Sequence, residues 1–296
     1  MPALIALCLL VASVGPALAH GEDAHGSPEW TFDPWITVPL LTAGVLYALG
    51  TAKLSRRSRT PRVSNAGSAA YWSGLLLLAV ALVSPLHYLG EHLFTFHMIE
   101  HEIVMAAAAP LIVLARPIGV LFWGLPRPLR RPAMQLVKSR GVETLWSAAT
   151  AGSVATLLHA AAIWLWHVPA LFDATVTSVL LHRLQHLSFF ITAVIFWWAV
   201  IWREGRGVGA WHLFLTMLHT SILGALIAVA PRVVYLAQTR YAADWGLSSL
   251  EDQQLAGIIM WVPGGIVYAG AALVMLAGLI RGSSSGGAHA GSVGIS

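Results

Sequence analysis

HLFTFHMIEHEIVMAAAAPLIVLA, residues 92–115, opens on a histidine and sets two more, with two glutamates, inside a run that is otherwise apolar enough and long enough to cross a membrane. A helix rises 1.5 Å per residue, so about 20 apolar residues cover the ~30 Å hydrocarbon core. Ionisable rings in hydrocarbon are costly, and the default expectation for each is a functional site with an identifiable partner. His97 and His101 are four residues apart and share a helix face, which Met105 continues one turn deeper.

The whole chain has the same character. Its 296 residues are 57% hydrophobic and only 10% charged, with a mean hydropathy of +0.72. A soluble domain carries about a quarter charged residues. Seven apolar segments are expected near Trp35–Leu54, Ala69–Leu89, His92–Ala115, Trp146–His167, Leu180–Trp202, Ala210–Pro231 and Leu255–Ile280. The fold class is therefore all-α: a polytopic, multi-pass seven-transmembrane-helix bundle over residues 35–281. The short piece Ile118–Leu125 in the third connection is too short to cross.

The pI near 9.6 does not signal nucleic acid, because the basic residues fall in short inter-helix connections. Lys53, Arg56, Arg57, Arg59 and Arg62 occupy the first connection, six more lie between Arg116 and Arg140, and Arg203, Arg206 and Arg281 follow later odd segments. The positive-inside rule then puts the N-terminus outside and the C-terminus in the cytoplasm. Pro2 to Leu18 with Ala17-Leu18-Ala19 reads as a signal peptide, residues 1–19, which agrees with an exported N-terminus. A polar periplasmic leader, 20–34, follows it, and a Gly/Ser-rich tail, 282–296, is expected to be disordered. The single cysteine, Cys8, falls in the signal segment, so the mature chain is expected to offer no thiolate.

Depth along the segments gathers the remaining histidines. His159 lies ~12 Å below the outer surface, His186 one turn beyond His182, and His219 ~18 Å in, while Met260 matches His97 in depth. Imidazoles from four helices and thioethers in one half of the bilayer suit copper, with Met favouring the cuprous ion. Zinc, or a haem held by two histidines, fits the ligand types almost as well. The expected ligands are His97, His101, His159, His186, His219 and Met260, with Glu100 and Asp252 as carboxylates that orient ligand rings. His87, His92, His167 and His182 fall near segment ends and His212 at the far end of its helix, so these read as solvated or hydrogen-bonded. His97-Met98-Ile99-Glu100-His101 also matches the H-x-x-E-H pattern of inverted zinc proteases, a weak five-residue signal without the usual soluble catalytic domain.

Several longer strings occur in a recognisable order. They are Ser84-Pro85-Leu86, His97-Met98-Ile99-Glu100-His101, Trp166-His167-Val168-Pro169-Ala170-Leu171, Leu184-Gln185-His186-Leu187-Ser188-Phe189, Asp252-Gln253-Gln254-Leu255-Ala256-Gly257 and Met260-Trp261-Val262-Pro263-Gly264-Gly265. From Trp35 to Ile280 the chain resembles the caa3-type cytochrome c oxidase assembly factor family. Glu100 and Gln185 stand where that family more often has Gln and Glu. The resemblance implies a bacterial membrane protein that helps build haem-copper oxidases by supplying copper. Its partners would be a haem-copper oxidase subunit, the surrounding membrane lipid and a periplasmic copper donor, with no nucleic acid. No covalent chemistry is required, so an enzyme is not expected. A copper permease would need polar groups continuing to the cytoplasmic side, where His212 stands alone. A haem-binding electron carrier would need two histidines facing each other.

Overall fold

The computed structural model describes residues 28–57 and 63–290, with side chains as far as Arg281. The expected signal peptide and most of the expected leader lie outside the described residues. Among these residues the chain forms twelve helices besides a 3-10 turn at Ala242–Trp245, and no strand. They are α1 (Pro34–Ser55), α2 (Asn65–Val83), α3 (Pro85–His92), α4 (Phe94–Ala115), α5 (Ile118–Gly124), α6 (Arg127–Val137) and α7 (Arg140–Ala149), then α8 (Gly152–Trp166), α9 (Pro169–Thr177), α10 (Val179–Arg203), α11 (Arg206–Ala228) and α12 (Ser249–Ala290). The last helix thus carries its backbone on into the expected Gly/Ser tail, whose residues 291–296 are not among those described.

Six of these helices, α1, α2, α4, α10, α11 and α12, are long and apolar enough to cross a membrane. Their outward side chains, among them Leu41, Leu76, Ile222, Ile266 and Val274, are exposed, which in water would be a large sticky surface and in lipid is the expected one. Polar backbone is satisfied within each helix, as a bilayer demands. Where α11 meets α12, Gly224 and Gly257 let the backbones touch: a Cβ on Gly257 would fall 2.4 Å from the Ala228 amide nitrogen. Ile118–Gly124 forms the short helix α5, which packs on α1 and does not span.

Two departures from the expected segments shape the site. The second segment does not run through to Leu89: it ends at Val83, and Ser84, in an extended conformation, caps α3 by accepting from the Leu86 amide at 3.2 Å. Pro85 disfavours a helical residue before it and suits the first turn after it, so a new helix starts there. After α3, Leu93 is extended and α4 begins at Phe94. Its first amides are capped from α12: Asp252 accepts from the amides of Phe94 at 2.8 Å and Thr95 at 2.9 Å.

The fourth segment is not one straight helix either. Helices α7 and α8 meet at 74°. The end of α10 holds that elbow, with Arg203 donating to the Ser147 carbonyl and Thr150 Oγ1, and the Glu204 carboxylate accepting from the Gly152 amide at 2.9 Å. A cation on the last carbonyls of one helix and an anion on the first amide of the next match the dipole sense of both.

Contacts sort the helix ends into two groups. At one end Asp33, the N-cap of α1, pairs with Arg183 of α10 at 2.8 Å, the Tyr235 hydroxyl donates to the His167 carbonyl at 2.8 Å, and Gln253 of α12 accepts from the Val234 amide at 2.6 Å. At the other end Lys53 donates to the Gly124 carbonyl at 2.9 Å, Trp202 to that of Val113 at 3.0 Å and Arg206 to that of Gly278 at 2.6 Å.

Candidate metal centre

The histidines lie at the Asp33–Arg183 end. Two pairs spaced by four residues, His97 and His101 on α4 and His182 and His186 on α10, turn their rings toward each other. Ring centroids are 5.4 Å apart for His97 and His182, 5.7 Å for His97 and His186, and 5.0 Å for His101 and His186. One ring nitrogen from each of His97, His182 and His186 can be chosen so that all three lie within 4.8 Å of one another.

Two further rings extend the cluster. His87 of α3 is 5.5 Å from His182 and 6.1 Å from His186, centroid to centroid, and His167, just past α8, is 6.4 Å from His101. His167 Nδ1 lies 2.7 Å from the Ile163 carbonyl, so that nitrogen carries the proton and Nε2 keeps a free lone pair. Burial holds the His167 imidazolium at about 4, so the ring is neutral.

What distinguishes these rings is the lack of partners. Both nitrogens of His97, His101 and His186, and Nε2 of His167 and His182, are buried with no hydrogen bond. An unmatched buried polar atom costs roughly 1–3 kcal/mol, so such a concentration is unfavourable unless another group completes it. A cation bound by imidazole lone pairs is the group this donor set fits. Both amide atoms of the fully buried Gln185 are unpartnered beside the same cluster.

Glu100 belongs to the site through His87. Its Oε1 lies 2.9 Å from His87 Nδ1, and its Oε2 is 4.0 Å from His186 Nε2 and accepts nothing. Burial works against a charge on His87, but the adjacent Glu100 carboxylate outweighs it and raises the imidazolium to about 9. Gly90 makes the room: a Cβ there would stand 2.6 Å from Glu100 Oε2.

A cleft of about 480 Å³ reaches the cluster, with His87, His182 and His186 on its wall, Leu40, Leu82, Leu184 and Phe190 among its apolar lining, and Glu91, Gln238 and Arg240 among its polar lining. The Asp33–Arg183 pair borders it.

The other expected ligands are elsewhere. His159 is stacked on Phe196, with Nδ1 3.1 Å from Thr192 Oγ1 and Nε2 3.4 Å from the Tyr268 hydroxyl. His219 Nδ1 accepts from the Trp164 indole at 3.3 Å. Met260 and Met105 are in the apolar core, Met105 within a π-helical segment, Ile103–Ala108, whose wider turn ends the His97–His101 register. Asp252 is the cap of α4 and makes no contact with a ring. Glu102 leans away, its carboxylate against Gly264 of α12. His212, at the far end, meets Thr156 Oγ1 at 2.9 Å. Sequence reasoning missed His87, His167 and His182, treating them as interfacial. The signals were Ser84-Pro85 and Val168-Pro169, each of which starts a new helix and turns the neighbouring histidine inward.

Fold and site together define a polytopic helical membrane protein with a buried polyhistidine cluster near one end of the bundle. The chain belongs to the cytochrome c oxidase caa3 assembly factor family (Caa3_CtaG), whose model matches residues 45–282. Uncharacterized proteins of Mycobacterium bovis and Mycobacterium tuberculosis are each 26% identical over 249 residues, which cover 78% of this chain and 36% of theirs. One of Mycobacterium leprae is 23% identical over 252 residues, again 36% of its length. The chain thus spans about a third of these curated relatives. No solved structure matches it.

Proposed function

We propose that this protein binds cuprous copper at His97, His182 and His186 and passes it to a haem-copper oxidase during assembly. The observation that carries the proposal is the trio of converging ring nitrogens within a cluster most of whose ring nitrogens are buried without a hydrogen-bond partner. Neutral imidazoles suit either copper or zinc. Burying charge is costly, and a monovalent ion leaves less uncompensated charge in an uncharged ligand set than a divalent one. The Glu100 carboxylate does not alter that balance, since it is matched to His87. Copper is cargo here, so the chain needs to hold and release it, not to catalyse a reaction. The cleft beside the cluster offers the ion a route to a partner, with His101 and His167 as further lone pairs beside the trio.

Seven crossings are part of the same proposal. Helix α8 starts at Gly152, whose amide donates to Glu204, and is followed by His167, whose carbonyl meets Tyr235 at the other group of helix ends, which supports counting the bent pair as a crossing. The basic residues crowd the end away from the histidines, which supports a cytoplasmic assignment for it in the inner membrane and a periplasmic site where a copper donor would load the protein.

Purified full-length protein loaded with cuprous ion in detergent tests this by elemental analysis. The expected result is stoichiometric copper that is mostly lost in His97→Ala and His186→Ala and kept in His159→Ala and His219→Ala. Unchanged copper in the first two variants would overturn the assignment, and preferential retention of zinc would replace copper as the cargo.

A further inference from the structure

At the end of the bundle away from the histidines, Lys53, Arg57, Trp123, Arg127 and Arg130 line a pocket of about 270 Å³. Two guanidinium groups lie over the Trp123 ring, that of Arg57 5.0 Å and that of Arg130 4.5 Å from its centroid. Arg130 is fixed by the last carbonyls of α5, donating to Phe122 at 3.0 Å, Trp123 at 2.9 Å and Leu125 at 3.1 Å, and Lys53 by Gly124. Arg57 and Arg127 are exposed. Among the described residues no carboxylate is within ion-pair reach of any of the four cations, since the arginine pair there is Arg183 with Asp33. The stretches outside the described residues hold only Glu22 and Asp23 as acids, both near the N-terminus. Four like charges around one pocket, uncompensated from within the chain, define an anion site.

The neighbouring helix says which anion. No residue of α6 is buried, and Leu129 and Leu136, seven residues apart on one face, are exposed together with Arg127 and Arg131. A short helix with an apolar stripe and a cationic side lies in the membrane interface, its apolar face among acyl chains and its cations at the headgroups. Helix α1 covers roughly 33 Å between the Asp33 end and Ser55, so the pocket sits a membrane thickness from the histidine end. We propose that the pocket of Lys53, Arg57, Trp123, Arg127 and Arg130 binds the phosphate headgroup of an anionic phospholipid. Basic pockets between transmembrane helices at the membrane surface are built for such headgroups, and α6 lays its apolar stripe beside the same lipid layer.

The test is native mass spectrometry of the full-length protein in detergent, titrated with phosphatidylglycerol or phosphatidylcholine. Phosphatidylglycerol is expected to be retained and phosphatidylcholine not. Removing two cations, Arg57→Gln with Arg127→Gln, is expected to weaken retention by about thirtyfold, from roughly a fivefold contribution per charge near a membrane surface. These two hold no backbone group, and an unchanged melting temperature checks that the variant folds. Arg131→Gln with Lys138→Gln, which removes the same charge outside the pocket, is expected to weaken it much less. Equal loss in the two double variants would reduce the effect to diffuse surface attraction and overturn the pocket. Equal retention of phosphatidylcholine would overturn the anion requirement. Displacement of the lipid by inorganic phosphate at equal concentration would make free phosphate the ligand and overturn the lipid assignment.

Discussion

Glu100 Oε1 lies 2.9 Å from His87 Nδ1, and this contact ties the short helix α3 to the interior of the α4 span. The carboxylate fits only because residue 90 has no side chain, since a Cβ there would approach Oε2 to 2.6 Å. Glu100→Gln keeps the shape and one acceptor for His87 but removes the charge beside the ring cluster. It is expected to leave the fold intact and to weaken copper binding roughly 10–100-fold. Gly90→Ala should displace the same carboxylate by overpacking, at a stability cost of about 1–3 kcal/mol, with copper affinity lowered as well. Copper titration and thermal melts of both variants check this, and wild-type values for Gly90→Ala would show that the carboxylate is not held in place by that contact.

His182 and His159 make opposite predictions, each the reverse of what depth along the segment suggests. His182 contributes to the converging trio, while His159 is engaged by Thr192 and Tyr268. His182→Ala should therefore lose most bound copper at little cost in stability. His159→Ala should keep copper yet melt lower, by about 1–3 kcal/mol, for the hydrogen bonds and packing it removes. Extended X-ray absorption at the copper edge should show imidazole scattering that is unchanged in His159→Ala. A reduced imidazole count in that variant would bring His159 into the site.

Asp252 reaches 158 residues back along the chain to cap the start of α4, accepting from Phe94 and Thr95 amides and from Thr95 Oγ1 at 2.8 Å. A charged acceptor on orphan amides is a strong cap, and the carboxylate is fully buried. Asp252→Ala should cost about 1–3 kcal/mol and loosen the segment that presents His97, lowering copper affinity secondarily. Asp252→Asn, which keeps one acceptor, should fall between the two in a thermal melt. If Asp252→Asn lost copper without any loss of stability, the residue would be acting on the metal and not on the helix.

The spans were legible because hydrocarbon imposes length and polarity rules that a sequence cannot hide, and α1, α4 and α10 begin within two residues of where hydropathy puts them. The family was legible from ordered strings, and its model covers nearly the same stretch. Depth along a span proved a weaker guide to the site. It grouped His159 and His219 with His97, because depth is one coordinate and the face a helix turns inward is another, set by packing that no single helix records. His182 and His186 were visible as a four-residue pair, but a ring near a span end looks solvated until a neighbour covers it. That neighbour is α3, which exists because Ser84 caps a helix begun by Pro85. Asp252 looked like a ring partner for the same reason: a lone buried carboxylate in sequence does not reveal that amides, not imidazoles, await it.

Sidedness gives the last prediction. Arg203 and Glu204 hold the α7–α8 elbow at the same end as Lys53 and Arg206, and the chain leaves α8 toward Tyr235 at the end that holds the histidines. If α8 completes a crossing, the count is odd and residues 28 and 281 face opposite sides; if the bent pair stays on one side, the count is even and they face the same side. The crowding of Lys and Arg at the Lys53 end favours the odd count with residue 28 outside. The chain's single cysteine, Cys8, lies in the expected signal segment, so single-cysteine labelling starts from a nearly clean background. With a Cys8→Ala chain, Pro28→Cys and Ala237→Cys should react with a membrane-impermeant maleimide in intact cells, and Ser139→Cys and Arg281→Cys only after lysis. Labelling of Arg281→Cys in intact cells together with Pro28→Cys would mean an even number of crossings. Labelling of Ser139→Cys alone with Arg281→Cys would invert the molecule, and the histidine centre would then face the cytoplasm, out of reach of a periplasmic copper supply.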